Sequence, residues 1–205
     1  LVTRNLMEIK IDAQKFANIK EAMARGLKNR KLGQAYRRGG YYNGLMLLDE
    51  QYTEEQKLEA LLPLELKDIQ GYANKIYEKV FVTGMIHGNY SDTKAIESTK
   101  ILLDSLKSRP LPEKERYEQV VESLPKSFRF SLEVKDNNNS LAYAIQIGDK
   151  SPNLFAQVSM LASIVESDFF TQMRTNQQLG YIVGSFQQRM EDRIFFRMVI
   201  QSSTH

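Results

Sequence analysis

Apolar residues in the first part of the chain recur at helical spacing. After Asp12, the positions Phe16, Ile19, Met23 and Leu27 follow one another at intervals of three or four residues. This spacing places them on one face of an amphipathic helix. The sequence therefore predicts a helix that begins near Asp12.

Breaker and capping signals divide the region that follows. Gly39-Gly40 predicts a break before a second apolar stretch at residues 45–48. Residues 53–56, Thr-Glu-Glu-Gln, form a capping-box pattern, in which the threonine hydroxyl and the glutamine side chain can each bond a free backbone amide. We expect a short helix to begin there and to end before Pro63.

The next segments alternate between helical and strand patterns. One helix is predicted by the apolar positions Leu66, Ile69, Ala73, Ile76 and Val80. Residues 80–86 form a short β-branched run before His87-Gly88, which is typical of a buried strand. Ser91 or Asp92 can cap a further helix. Its predicted inward positions are Ala95, Thr99, Leu102 and Leu106.

The best candidate for a linker is the stretch 108–112, which contains Pro110 and Pro112 and is followed by charged residues. Proline lacks a backbone donor and restricts the preceding residue, so this stretch resists a helix. A change of composition of this kind is typical of a domain boundary.

Beyond the linker the apolar period changes from helical to two. The alternating positions are Phe128, Phe130, Leu132 and Val134, and then Leu141, Tyr143, Ile145 and Ile147. Residues 136–139, Asp-Asn-Asn-Asn, lie between the two runs and tolerate the backbone conformations of a hairpin loop. We therefore expect the two strands to pair antiparallel.

The final part predicts a helix followed by two strands. Ser151 is a preferred N-cap residue, and Pro152 suits the first helical position. The inward positions of this helix are predicted to be Phe155, Val158, Leu161, Ala162 and Val165, and the helical pattern can continue to Arg174. Residues 180–186 and 194–200 read as strands. This order predicts an α+β fold, with an antiparallel sheet and helices packed on one face.

Composition limits the possible chemistry. The 205 residues are 42% hydrophobic and 26% charged, which is typical of a globular protein. There is no cysteine, so disulfides, thiolate metal sites and cysteine nucleophiles are excluded. The sequence does not distinguish a cytoplasmic from a periplasmic location, since a chain without cysteine is equally compatible with both. The chain starts at Leu1 and stops after a strand-like run, and we interpret it as a piece of a longer chain.

The chain has a net charge of +3, and much of the positive charge lies in one basic patch. This patch is formed by Lys28, Arg30, Lys31, Arg37 and Arg38, and it can be interpreted in two ways. With Tyr36, Tyr41 and Tyr42 nearby, this patch could bind nucleic acid. The alternative is the solvated face and end of a helix, which the many interspersed acids favour. We therefore expect no nucleic-acid partner and, because no apolar run is long enough, no membrane span.

The residue types alone provide little catalytic machinery. His87 and His205 are the only histidines, and neither lies in a His-x-x-Glu-His or His-Glu-x-x-His pattern. A structural role for His87 is favoured over a ligand role. There is neither a Gly-x-Ser-x-Gly elbow nor a phosphate-binding glycine-rich loop. We therefore predict no metal site in this chain.

One segment carries a specific motif. Residues 169–183 read FFTQMRTNQQLGYIV, and they resemble the pattern F-x-x-L-R-T-x-E-Q-L-G-Y in the fourth domain of the pitrilysin and insulin-degrading-enzyme family of zinc metallopeptidases. The matching residues are Arg174, Thr175, Gln178, Leu179, Gly180 and Tyr181. Met173 replaces Leu, and Gln177 replaces Glu, which removes a charge. The resemblance extends in order and spacing across the whole chain.

The resemblance implies a place in a larger enzyme. Residues 1–117 would be the later part of the family's third domain, and residues 118–205 the first half of its fourth, in layered ferredoxin-like α/β domains. Zinc and its ligands would belong to the N-terminal catalytic half of the same protein, which is a partner outside this chain. Peptides would be the substrates, and this chain alone would be inactive.

The resemblance also implies roles for three residues. Tyr181 would be catalytic and stabilise the oxyanion formed when zinc-bound hydroxide attacks a peptide carbonyl. Arg174 would bind substrate carbonyls, and Gly180, in the same binding segment, would let the chain turn closely enough to aim the tyrosine. From the residues alone, Tyr181 could instead be a core tyrosine, and Arg174 a helix C-terminal cation. A degenerate homologue that only holds peptides or acts as a scaffold is the alternative function.

Overall fold

The computed structural model describes residues 9–122, 127–133 and 136–203. Its helices are α1 (Ala13–Asn29), α2 (Ala35–Leu47), α3 (Glu54–Leu61), α4 (Leu66–Lys75), α5 (Asp92–Leu106) and α6 (Pro152–Phe170), with 3₁₀ turns at Arg30–Leu32 and Glu113–Glu115 and a π-helical turn at Thr171–Asn176. Its strands are β1 (Lys79–Val80), β2 (Arg109–Pro110), β3 (Asn139–Asp149), β4 (Ile182–Met190) and β5 (Arg193–Ser202).

The chain forms two compact units. The first unit consists of the described part of residues 1–27 together with residues 55–118. The second consists of residues 28–54 together with the described part of 119–205. Each unit therefore combines two separate stretches of sequence.

Helices of the first unit begin where the sequence supplies caps. The Asp12 carboxylate accepts a hydrogen bond from the Lys15 amide at 2.7 Å, which confirms the predicted start of α1. At α4 the sequence pattern missed a capping box, in which Glu65 and Asp68 bond each other's backbone amides. The helix predicted to continue to Val80 ends at Lys75.

The predicted buried strand at residues 80–86 is wrong. Only Lys79–Val80 pairs, in parallel with Arg109–Pro110. Phe81 is 53% exposed and Met85 is 88% exposed. A buried strand needs sheet neighbours and covered faces, and the described residues place only one two-residue strand beside this run.

Helix α5 confirms the predicted cap but not every inward position. The Ser91 hydroxyl accepts a hydrogen bond from the Lys94 amide, and Leu106 at the other end is buried. Thr99 was expected inward but is exposed, and its hydroxyl bonds the Ala95 carbonyl of its own helix at 2.9 Å. Because the preceding turn satisfies its hydroxyl, Thr99 does not require a hydrogen-bond partner in the core.

The second unit is built on an antiparallel sheet in the order β3-β5-β4. On one face, Ile194 and Phe196 pack with Val158 and Ala162 of α6. The intervening Phe195 points to the other face, where it packs with residues that include Leu47 of α2. The predicted α+β class with an antiparallel sheet is confirmed, and α2 adds a helical layer to the second face.

The predicted hairpin between residues 128–134 and β3 is wrong. Over the described residues β3 pairs with β5, from Asn139↔Ser202 to Asp149↔Arg193. Residues 127–133 form no strand, and Val134 lies outside the described residues. Alternation and a turn signal report only on nearby residues, so they could not identify a partner strand some fifty positions away.

The predicted break at Gly39-Gly40 is also wrong, because α2 runs through both glycines. A methyl group on Gly39 would lie 3.2 Å from Cβ of Ala142 on β3. The missing side chain lets the helix approach the strand closely. Packing on the sheet therefore outweighs the poor helix propensity of glycine.

Helix α6 begins as the sequence predicts. The Ser151 hydroxyl accepts a hydrogen bond from the Leu154 amide at 3.2 Å, and Pro152 occupies the first turn. Val158 and Ala162 are buried as expected, and Val165 packs beside them. Phe155 and Leu161 are exposed, contrary to the prediction. The helix packs on β4 and β5. These strands cover fewer of its apolar side chains than the sequence pattern predicts.

Candidate functional site

The motif segment leaves α6 through a wide turn. Thr171–Asn176 continues the helix in π-helical form, and the Gln177 amide bonds the Gln172 carbonyl at 3.0 Å. Gln178 then takes a positive φ of 52°, and the Leu179 amide returns to the Met173 carbonyl at 2.9 Å. π-helical turns are rare and frequently occur at functional sites. These bonds fix the path by which the chain reaches β4.

Arg174 is an exposed residue of this turn. Its Nη1 donates a hydrogen bond to the backbone carbonyl of Tyr181 at 2.6 Å. Its guanidinium also lies 5.2 Å from the ring centre of Phe170, within the range of a cation–π contact. The structure therefore brings the two predicted residues together through the backbone of Tyr181 and not through its phenol.

The Tyr181 side chain is 60% exposed, so it is not a core tyrosine. Among the described residues none bonds its hydroxyl, although the hydroxyl can both donate and accept. The phenol stands immediately before β4, next to the arginine that holds its carbonyl. It is available to an approaching ligand.

Gly180 is required by close packing. A Cβ at this position would lie 1.8 Å from the Gln201 carbonyl oxygen and 2.7 Å from its carbon. No side chain fits so close to the backbone of β5. Gly180 thus fixes the distance between the turn and the sheet, and with it the position of Tyr181.

A buried arginine in the central strand of the sheet was not singled out from the sequence. Arg197 in β5 is only 8% exposed, and its guanidinium donates to the Gln188 side-chain carbonyl. Burial lowers the pKa of Arg197. The signal that could have revealed it is a charged residue inside the apolar run of residues 194–200.

The other candidates occupy different parts of the chain. His87 is exposed in an irregular segment, and His205 lies outside the described residues. In the basic patch, Arg30 pairs with Glu54 at 3.3 Å, and Arg38 pairs with Asp136. The part of the chain that the structure describes contains no group of three histidine or acidic side chains able to hold a metal. None of its helices is long and apolar enough to cross a membrane.

Comparisons with known proteins found a matching family model and several relatives. A family model described as PQQ synthase PqqF-like, C-terminal lobe domain 4, matches residues 160–205, which include the whole turn. A nardilysin-like protein of Arabidopsis thaliana is 29% identical over 178 residues, which cover 83% of this chain and 17% of that protein. The insulin-degrading enzyme of Mus musculus is 26% identical over 212 residues, which cover 98% of this chain and 20% of that enzyme.

A solved structure shows the same fold. The crystal structure of pitrilysin superposes with a TM-score of 0.70 at 15% identity, over 97% of this chain and 21% of that one. The chain spans about a fifth of the length of the curated relatives it matches. The chain is similar to proteins of the pitrilysin and insulin-degrading-enzyme family, and its residues 160–205 match a domain described as belonging to a C-terminal lobe.

Proposed function

We propose that this chain is part of the non-catalytic, substrate-binding half of a zinc-dependent peptidase, and that it supplies Arg174 and Tyr181 to the active site of the full-length protein. The observation that supports this most directly is the hydrogen bond from Arg174 to the Tyr181 carbonyl, beside an exposed phenol. A buried phenol, or an arginine remote from it, would have argued against the proposal.

The two side chains have complementary chemistry for a peptide. The Tyr181 hydroxyl would donate to the oxygen of the substrate carbonyl as negative charge develops there, and a donor already in position costs no reorganisation. Arg174 has N–H groups beyond the one that holds Tyr181, and these would bind further substrate carbonyl oxygens. Gly180 acts as a positioning residue through its contact with Gln201.

The described residues do not fit a zinc site, because they bring together no set of three ligands. Zinc in the full-length protein would be held by its N-terminal half, which would be the intramolecular partner of this chain. The proposed contribution of this chain is therefore confined to binding and polarising the peptide.

A conservative substitution tests the role of the phenol. In the full-length protein, Tyr181→Phe should lower kcat by about 100-fold or more with little change in KM, because it removes one donor that acts in the transition state. Tyr143→Phe removes the hydroxyl of another exposed tyrosine, on β3, and should leave both constants unchanged. Wild-type turnover by the Tyr181→Phe protein would refute the proposed role.

Gln177 favours a second candidate function. It replaces the glutamate of the family pattern, and its backbone amide, not a charged side chain, closes the turn. A homologue that has lost catalysis could keep the turn as a peptide-holding or scaffold surface. Zinc content and peptide hydrolysis by the full-length protein distinguish the two, since a degenerate homologue would bind peptides without cleaving them.

A further inference from the structure

Strand β4 has a free edge next to the candidate site. It pairs with β5 along one side, from Ile182↔Gln201 to Met190↔Arg193. Over the residues that the structure describes, no strand pairs with its other side. The backbone groups along that side are therefore available to an added strand.

Apart from the charge of Arg189, this edge lacks the devices that usually protect an edge strand. β4 is nine residues long and contains neither proline nor lysine. Its register with β5 is unbroken, whereas β3 on the opposite side of the sheet has an irregularity between Gln146 and Gly148. Natural edge strands are commonly shortened, bulged or charged to prevent pairing. An unprotected edge of this length is suited to binding another strand.

The charge along the edge indicates what kind of strand it would bind. Residues 169–190 include Arg174 and Arg189 but no aspartate or glutamate. Arg189 is exposed, and no carboxylate among the described residues pairs with either arginine. Two copies of such an edge would repel each other, while an acidic segment would be attracted.

We propose that the free edge of β4 binds an extended peptide carrying acidic side chains, which adds to the sheet as a further strand. The inference rests on the proposed function, since it treats this peptide as the continuation of the substrate held at Arg174 and Tyr181. β4 begins at the residue directly after Tyr181. A strand on its edge runs without interruption into the candidate site.

The site has a definite length and pattern. Nine residues of β4 span about 30 Å, which matches an extended peptide of similar length. Backbone pairing would provide affinity for many sequences, and Arg189 near the far end would favour a carboxylate there.

Binding of synthetic peptides to the 205-residue chain tests the proposal without any turnover. The probe is a nine-residue peptide with glutamate at alternate positions and a neutral dye, followed by fluorescence polarisation. One matched peptide has glutamine in place of glutamate. Another has two successive N-methylated residues at its centre, which block backbone pairing on both edges of the peptide.

The acidic peptide should bind, and its affinity should fall by about tenfold on N-methylation, because backbone hydrogen bonds are lost. Arg189→Gln should weaken binding about two- to fivefold, as expected for an exposed ion pair. Arg129→Gln removes the same charge from an exposed residue outside the sheet and should leave affinity unchanged. The glutamine peptide should bind more weakly than the acidic one.

Several results would overturn the inference. These are no binding of the acidic peptide, equal binding of the N-methylated peptide, equal effects of Arg189→Gln and Arg129→Gln, or self-association of the chain that the peptide does not reverse. The proposed function is judged separately, by the turnover of the full-length Tyr181→Phe protein, which the binding measurements do not include. A normal kcat in that variant would refute the role of Tyr181 and leave these binding results intact.

Discussion

Two apolar runs of similar composition adopt different structures in this protein. Residues 80–86 of the first unit and β5 of the second unit are both rich in β-branched and aromatic residues. β5 lies at the centre of its sheet, and its Phe195 is 1% exposed. The other run pairs through two residues at its start, and Phe81 stays in contact with solvent.

The difference shows that a strand is determined by its neighbours. β5 has β3 and β4 on its two sides and helices on both faces, so its backbone groups are paired and its side chains are covered. Residues 81–86 have the same preference for strand but no described partner. Phe81 instead lies under the guanidinium of Arg116, 3.5 Å from its ring centre.

Replacing one phenylalanine by alanine in each run should give the largest difference in stability between the two runs. Phe195→Ala leaves a cavity between α2 and the sheet and should lower the free energy of unfolding by about 3–5 kcal/mol. Phe81→Ala removes an exposed ring and one cation–π contact, which should cost about 0.5–1 kcal/mol. Urea unfolding followed by circular dichroism measures both. Equal losses would contradict the assignment of β5 as core and residues 81–86 as surface.

The contact between the turn and β5 should give the next largest effect. Gly180→Ala forces the Gln201 backbone to move and should lower the free energy of unfolding by about 2–3 kcal/mol. Gly184→Ala is the matched control on β4, where a new Cβ meets nothing within 4 Å. It should be neutral or stabilise the chain by up to about 1 kcal/mol. A harmless Gly180→Ala substitution would show that the turn does not pack on β5 as described.

Helix caps should give the smallest effect and should not distinguish the two units. Ser151→Ala and Ser91→Ala each remove a hydroxyl that accepts a backbone amide, at 3.2 and 3.4 Å. Each should lower the free energy of unfolding by about 1 kcal/mol. Serine-to-threonine variants retain the hydroxyl and serve as controls. A loss several times larger in one unit would mean that the cap supports more than its own helix.

Much of the candidate site was visible in the sequence because a motif preserves residue types and spacing. Arg174, Gly180 and Tyr181 were identified in this way, and their proposed roles remain predictions. The bond from Arg174 to the Tyr181 carbonyl was not predictable, because it depends on the π-helical turn and on the positive φ of Gln178. Arg197 was missed although its place inside the apolar run of residues 194–200 was a signal, because the burial of a charge depends on the packing around the strand.

The sequence by itself determined what depends on neighbouring residues. The cap at Asp12, the Ser151-Pro152 start of α6 and the two strands that form β4 and β5 all follow from short-range propensities and periodicity. Only the tertiary structure decided that β3 pairs with β5, that α2 continues through Gly39, and that residues 81–86 stay outside a sheet. Those outcomes depend on contacts between residues far apart in the chain, and the energy of such contacts exceeds local preference wherever the two conflict.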